Sequence, residues 1–209
     1  MDTSPFSRRG LLTAGAAGLG GLLLAGCDRL SGSPRFQSLL GSAEPLTYRA
    51  QRLLLAGQPL AREFKPSDIS PVFKTNGTTQ PGGDAYQALT ANGFADWRLK
   101  IDGLVARPLS LSLAELKRLP QRTQITRHDC VEGWSAIGQW TGAPLGPVLR
   151  AAGLAPNARF AVFHCADDLD GSVDGSGLYY ESIDLIDAFH PQTILAHSMN
   201  GQPLAVAHG

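Results

Sequence analysis

Residues 112–130 read SLAELKRLPQRTQITRHDC, and this stretch decides between a helical and a sheet-rich chain. Ser112 and Glu115 have the spacing of a capping box, which predicts a helix opening at Leu113, and Pro120 stops it after about two turns. The residues that follow, Gln121 to Thr126, are polar and β-branched and predict a strand that delivers the chain to Arg127-His128-Asp129-Cys130. A helix so short, leading straight into a strand, belongs to a mixed architecture.

The flanks agree. Trp97, Leu99 and Ile101 alternate on one face and Asp102-Gly103 turns the chain, so a strand is expected there. Pro144 to Ala152 predicts a second helix, with proline near its start and Gly153 as its stop. Phe160 to Cys165 reads as a buried strand and Tyr179 to Leu185 as another. Thr193–Met199 and Gln202–Ala207 flank Asn200-Gly201, a hairpin signal because both turn residues tolerate positive φ. Leu46 to Leu60 predicts a short helix, and Pro66 to Asp84, with Asn76-Gly77 and Pro81-Gly82-Gly83, a loop long enough to be functional. The fold class expected is α+β, one sheet-dominated mixed domain over residues 46–209.

Composition narrows the function. The 209 residues are 43% hydrophobic, enough for one core, and 24 glycines with 14 prolines favour turns and short strands over a bundle. The 18 basic and 18 acidic residues cancel, leaving no surplus for a phosphate backbone, so nucleic acid is not an expected partner.

The N-terminus reads Ser7-Arg8-Arg9-Gly10-Leu11-Leu12, then an apolar Gly- and Ala-rich run ending Leu24-Ala25-Gly26-Cys27. A transmembrane helix needs roughly 20 apolar residues, and Gly10 to Gly26 is shorter. Residues 1–27 look like a twin-arginine signal joined to a lipobox, with Cys27 as the lipidated residue. The mature chain is then expected outside the cytoplasm, facing the periplasm, tethered to a bacterial membrane by that lipid alone. Residues 28–45, rich in Ser, Gly and Pro, read as a flexible tether. Twin-arginine export, by resemblance, carries folded proteins that often hold a cofactor.

Cys130 and Cys165 are the remaining cysteines, too few for a stapled scaffold although one bridge between them is open. Taken on its residues alone, Cys130 has three readings: a buried small hydrophobe, a nucleophile activated by His128, or a thiolate on a soft metal.

The segment Thr126-Arg127-His128-Asp129-Cys130-Val131-Glu132-Gly133-Trp134-Ser135, followed by Trp140-Thr141-Gly142-Ala143-Pro144-Leu145, resembles the molybdenum-binding loop of the sulfite oxidase family of molybdopterin oxidoreductases. Pro71 to Gly77, Trp97 to Gly103, Tyr180 to Asp184 and Met199 to Leu204, running into His208-Gly209, resemble other pieces of that family in the same order. The resemblance spans residues 66–209. It implies a molybdenum–molybdopterin cofactor with one pterin dithiolene, Cys130 as metal ligand and catalytic residue, and Phe73, Asn76, Cys165 and His208 as pterin contacts. Asn76-Gly77 also has a bland reading as a turn, Cys165 as a core residue and His208 as a solvated terminus.

The same resemblance implies oxygen-atom transfer on an oxidised sulfur compound or similar oxo-acceptor. In sulfite oxidases proper the cysteine is followed by an Ala-Gly-Asn-Arg type run and the first loop carries arginine. Here Val131-Glu132-Gly133-Trp134 and Lys74 stand instead, and lysine lacks the bidentate fork, which points away from sulfite and toward the periplasmic branch that includes protein methionine-sulfoxide reductases. The family pattern continues past His-Gly to a phosphate-gripping arginine, so the domain reads as truncated. With no Cys-x-x-Cys-His and no cysteine run, electrons are expected from a separate redox partner, such as a membrane subunit. A non-catalytic cofactor-binding or structural lipoprotein of the same fold, and a cysteine hydrolase built on Cys130 and His128, are the competing readings.

Overall fold

The computed structural model describes residues 32–55, 57–77, 79–168 and 177–208. The signal and Cys27 lie outside the described residues. The chain divides into two compact units, Met1–Gln58 and Pro59–Gly209.

In the first unit, helix α1 spans Pro34–Leu54, with proline in its first turn and Ser33 as an N-cap whose side chain makes no capping bond. The segment expected to be a flexible tether is therefore helical from Pro34, and the helix expected over Leu46–Leu60 starts earlier and stops at Leu54. The reason lies in the residues between Pro34 and Leu54: Arg, Gln, Leu and Ala are strong helix formers, and Pro45 removes a single internal hydrogen bond without ending the run. No residue of α1 is buried.

Among the described residues the second unit holds three antiparallel sheets. Strands β1 (Arg98–Ile101) and β2 (Leu109–Ser112) form one pair. Strands β3 (Arg122–Asp129), β4 (Ser135–Pro144), β7 (Ile194–Met199) and β8 (Gln202–Pro203) form a four-stranded sheet in the order β3-β4-β7-β8. Strands β5 (Phe160–Asp168) and β6 (Leu178–Asp184) form the third. Four short helices complete the unit's α elements among the described residues: α2 (Asp84–Ala91), α3 (Leu113–Arg118), α4 (Leu145–Ala152) and α5 (Leu185–Ala188).

The expected mixed, sheet-rich domain is present, and its local signals act as their chemistry dictates. Ser112 Oγ accepts from the Glu115 amide at 3.2 Å while the Glu115 carboxylate accepts from the Ser112 amide at 2.8 Å, closing the capping box of α3. Asn200 (φ 51°) and Gly201 (φ 77°) both take the left-handed conformation that joins β7 to β8. The core forms where α4 and α5 meet the sheets: Leu145, Leu149 and Ala188 are buried, packed by Ala161, Phe163, Ile183 and Leu195 among others.

Three expectations are corrected. The strand over Phe160–Cys165 is not buried throughout, because its side chains alternate: Ala161 and Phe163 pack on the core while Phe160 and Val162 are 63% and 51% exposed. The strand expected over Gln202–Ala207 is only Gln202–Pro203: the Leu204 amide still donates to the His197 carbonyl at 3.1 Å, and the chain then leaves the sheet for a 3-10 turn at Val206–His208, in which the His208 amide donates to the Ala205 carbonyl at 2.8 Å. Tyr179–Leu185 ends one residue early because the Asp184 side chain caps α5, accepting from the Asp187 amide at 2.9 Å.

Candidate functional site

The β3–β4 hairpin builds the site. Its strands pair from Arg122↔Gly142 to Asp129↔Ser135, and the connection is Cys130 to Trp134. This loop is closed on itself: the Cys130 amide donates to the Trp134 carbonyl at 2.8 Å and the Gly133 amide donates to the Cys130 carbonyl at 3.0 Å. Val131, at its tip, is fully exposed. Cys130 is half-buried, so its sulfur is neither in the core nor in open water. The Trp134 indole N–H donates to the Glu132 carboxylate at 3.1 Å, which fixes both side chains of the loop.

A second segment is pinned onto the hairpin. Ser70 exchanges two hydrogen bonds with Ile137 of β4: its amide donates to the Ile137 carbonyl at 3.0 Å, and its hydroxyl accepts from the Ile137 amide at 2.9 Å. Three residues on, the Phe73 ring lies over Gly138, where a Cβ would stand 3.0 Å from the ring. That glycine lets the ring reach the centre of an aromatic cluster. Phe73 meets His128, Trp134, Trp140 and His208 edge-on at centroid distances of 5.5, 6.0, 5.4 and 6.0 Å, and His128 stacks on Trp140 at 5.0 Å.

These groups line a cavity of ≈ 960 Å³. Phe73, Asn76, Cys130, Cys165 and His208, the residues singled out from the sequence, all lie in its wall, drawn from the long loop, the hairpin turn, β5 and the C-terminal 3-10 turn. Asn76 also serves its own turn, accepting from the Gly77 amide at 2.9 Å. Cys130 and Cys165 are both free thiols, so the bridge left open by the sequence is not formed. Burial pushes the Cys165 thiol pKa up, and Asp167 and Glu181 push it further, which keeps that sulfur protonated. Burial against the aromatic cluster lowers the His128 pKa, partly offset by Asp129, although the ring keeps some contact with solvent. His128 and Cys130 share no hydrogen bond among the described residues, and the imidazole is committed to Trp140, which leaves the hydrolase reading without its base–nucleophile contact.

The sequence reading missed four contributors. Lys117 and His197 line the cavity from α3 and β7, and Ser70 and Gly138 place Phe73. Only Gly138 carried a visible signal, as a glycine inside an otherwise strand-like run.

The donor set fits a molybdopterin. Two buried polar atoms in the wall, Trp140 Nε1 and His208 Nδ1, have no partner among the described residues, and such atoms are costly unless a ligand with polar edges meets them. The aromatic lining suits a planar heterocycle. Among the described residues no three His, Cys, Asp or Glu side chains cluster to hold a metal.

The family model described as oxidoreductase molybdopterin binding domain matches residues 87–209. The chain belongs to that family. The match agrees with the resemblance to the sulfite oxidase family read from the sequence. A putative protein-methionine-sulfoxide reductase subunit YedZ1 of Azospira oryzae is 40% identical over 153 residues, covering 70% of this chain and 53% of that one. The protein-methionine-sulfoxide reductase catalytic subunit MsrP of Xanthomonas campestris is 34% identical over 135 residues, covering 60% of this chain and 41% of that one. The chain thus spans about half the length of the relatives it matches. Among solved structures, the sulfane dehydrogenase SoxCD of Paracoccus pantotrophus matches 55% of this chain and 32% of its own, at 24% identity and a TM-score of 0.45.

Proposed function

We propose that this chain is the molybdenum-binding part of an oxidoreductase that reduces a sulfoxide, in the class of protein-bound methionine sulfoxide, with Cys130 as the metal's protein ligand. One observation supports it above the others: the Cys130 thiol stands at a self-closed hairpin turn in the wall of a cavity that also holds two orphaned polar atoms. When bound, the cofactor supplies two-electron oxygen-atom transfer; the protein supplies binding, orientation and exclusion of water. Trp140 Nε1 is a donor only and would meet an acceptor edge of a pterin. His208 Nε2 lies 3.3 Å from the Phe73 carbonyl, which would leave its other nitrogen for the ligand. Phe73, at the centre of the aromatic cluster, excludes water there, while Asn76 and Cys165 would contact the pterin from the loop and from β5. Glu132 and Trp134, tied to each other beside the exposed Val131, form a rim that receives a neutral, bulky substrate better than a dianion. Net conversion of a sulfoxide to a thioether takes up two electrons and two protons and releases water, so a separate electron donor is needed, and a membrane redox subunit suits a tethered chain.

The proposal extends to location. Export by the twin-arginine route, cleavage ahead of Cys27 and lipidation there would place the domain on the periplasmic side of a membrane.

Elemental analysis of the purified protein should find roughly one molybdenum per chain. Cys130→Ser should keep the fold, shift the metal's absorption spectrum and lower sulfoxide turnover with a reduced dye by at least about a hundredfold, because a hard alkoxide replaces a soft thiolate. Cys165→Ser should do much less. Unchanged turnover in Cys130→Ser, or a folded chain that never takes up molybdenum, would defeat the reading.

A further inference from the structure

Helix α1 presents an apolar face that no described residue of its own unit covers. Leu39, Leu46 and Leu53 recur every seven residues and, with Leu40 and Leu54, occupy an arc of roughly 140°. These five leucines are 66, 63, 79, 54 and 75% exposed. Over Pro34–Leu54 the charged residues are Arg35, Arg49, Arg52 and a single Glu44, all outside the centre of that arc. Pro45 lies on the polar side, so the Gly41 carbonyl it leaves without a helical partner faces water.

We infer that α1 is a membrane-surface helix, lying in the interface of an anionic bilayer with its leucines among the acyl chains and Arg35 and Arg49 on lipid phosphates. Two features on the molecule favour lipid over a protein groove. The edges of the arc carry the Arg35 and Arg49 guanidinium groups against the single carboxylate of Glu44, which complements a phosphate surface, while Arg52 lies on the far side of the helix with its guanidinium 5.4 Å over the Tyr48 ring. The seven steps from Cys27 to Pro34 reach at most about 25 Å, so a lipid on Cys27 would hold the start of α1 beside the headgroups. That last point rests on the anchoring proposed above; the first does not.

The test uses the full 209-residue chain, carrying either Leu46→Trp or Ser38→Trp, on vesicles of equal parts phosphatidylglycerol and phosphatidylcholine with brominated acyl chains. The native Trp97, Trp134 and Trp140 are common to both variants, so the difference reports the helix face. Fluorescence of Leu46→Trp should be quenched and that of Ser38→Trp, on the opposite side of the helix, nearly unaffected. Replacing Arg35 and Arg49 together by Gln should weaken binding by roughly fivefold per arginine and reduce its salt dependence, whereas Arg52→Gln, on the far side, should change it little. Equal quenching at both positions, or none, overturns the inference. The pair is repeated with Cys27→Ala: face-specific quenching should persist, and its disappearance would mean that the helix has no affinity of its own. Absence of lipid from Cys27 in the native protein would instead sink the anchoring reading while leaving this one standing. A dimer dissociated by Leu39→Glu, Leu46→Glu and Leu53→Glu, with Leu46→Trp unquenched on vesicles, would assign the face to a second copy and overturn the membrane.

Discussion

Helices α4 and α1 carry the same kind of pattern and meet opposite surroundings. In α4, Leu145, Gly146, Val148, Leu149 and Ala152 are buried, and its terminal carbonyls are taken up by Arg107, whose guanidinium donates twice to Ala151 at 3.1 and 2.7 Å. In α1 nothing is buried along 21 residues. Amphipathic spacing thus sets where a helix forms and which side is apolar, but the partner of that side comes from elsewhere in the chain or from outside it.

The largest effect that sharpens this contrast is on core packing. Leu149→Ala empties a site in contact with Ala188, Phe163 and their neighbours, and should cost about 2–5 kcal/mol in chemical denaturation. Leu46→Ala in α1 should stay within about 0.5 kcal/mol without membrane, because its side chain is already in water. A comparable loss in both would show that α1 is packed in solution.

Next comes Gly138→Ala, which tests whether the site is as tightly filled as the core. The added methyl would arrive 3.0 Å from the Phe73 ring, which is held by Ser70 on one side and by the His208 contact with its carbonyl on the other. A loss of about 1–3 kcal/mol is expected, with reduced molybdenum content, since the ring must leave the aromatic cluster. Full metal loading at unchanged stability would show that Phe73 has room to move.

How much of this was legible depends on the range of the interaction. The capping box at Ser112, the Asn200-Gly201 turn and the stop at Gly153 are set by a few adjacent residues, and each stands where the sequence puts it. The cavity residues Phe73, Cys130, Cys165 and His208 were named through a resemblance; no spacing rule brings a loop, a hairpin and a C-terminal turn together. Two helices carry no comparable start signal in the sequence reading: α2 begins after Gly83, which has no side chain to cap it, and the four-residue α5 exists because Asp184 caps it and Ala188 finds a place in the core. The outer face of β5 was misjudged for the opposite reason: a run of apolar letters does not say which of its two faces the core will cover.

A smaller effect separates a capped start from an uncapped one. Ser112→Ala removes the hydroxyl that accepts from Glu115 and should cost about 1 kcal/mol, whereas Ser33→Ala at the head of α1 should cost a few tenths at most. Thermal melts of the two single variants decide it, and equal losses would mean that the Ser33 hydroxyl does cap α1 in solution.

The smallest expected effect is a pH dependence that only the packed unit carries, and it rests on His197. Gln121 spends its amide protons on the Leu116 and Leu119 carbonyls, at 3.0 and 2.7 Å, so its oxygen is left to accept from His197 Nε2 at 2.8 Å. With that nitrogen protonated, Nδ1 accepts from the Ser198 hydroxyl at 2.9 Å, and the network ties β7 to the end of α3 through a neutral imidazole. Burial disfavours the cation and Lys117 repels it, more than the residue's own backbone favours it, so the pKa lies below the usual histidine value. The unfolded chain, titrating near 6.5, therefore binds more protons than the folded one in the window between the two values, and stability rises with pH there. The contribution is complete above about 6.5 and is lost as the pH falls through the depressed folded value. Lowering the pH from about 7.5 to about 5 should reduce the melting temperature of the native chain by more than that of His197→Gln, which keeps hydrogen-bonding capacity but cannot take up a proton. Identical pH slopes in the two proteins would show that His197 is solvated enough to titrate normally; α1, which contains no histidine, should show no corresponding change in its vesicle binding over the same range.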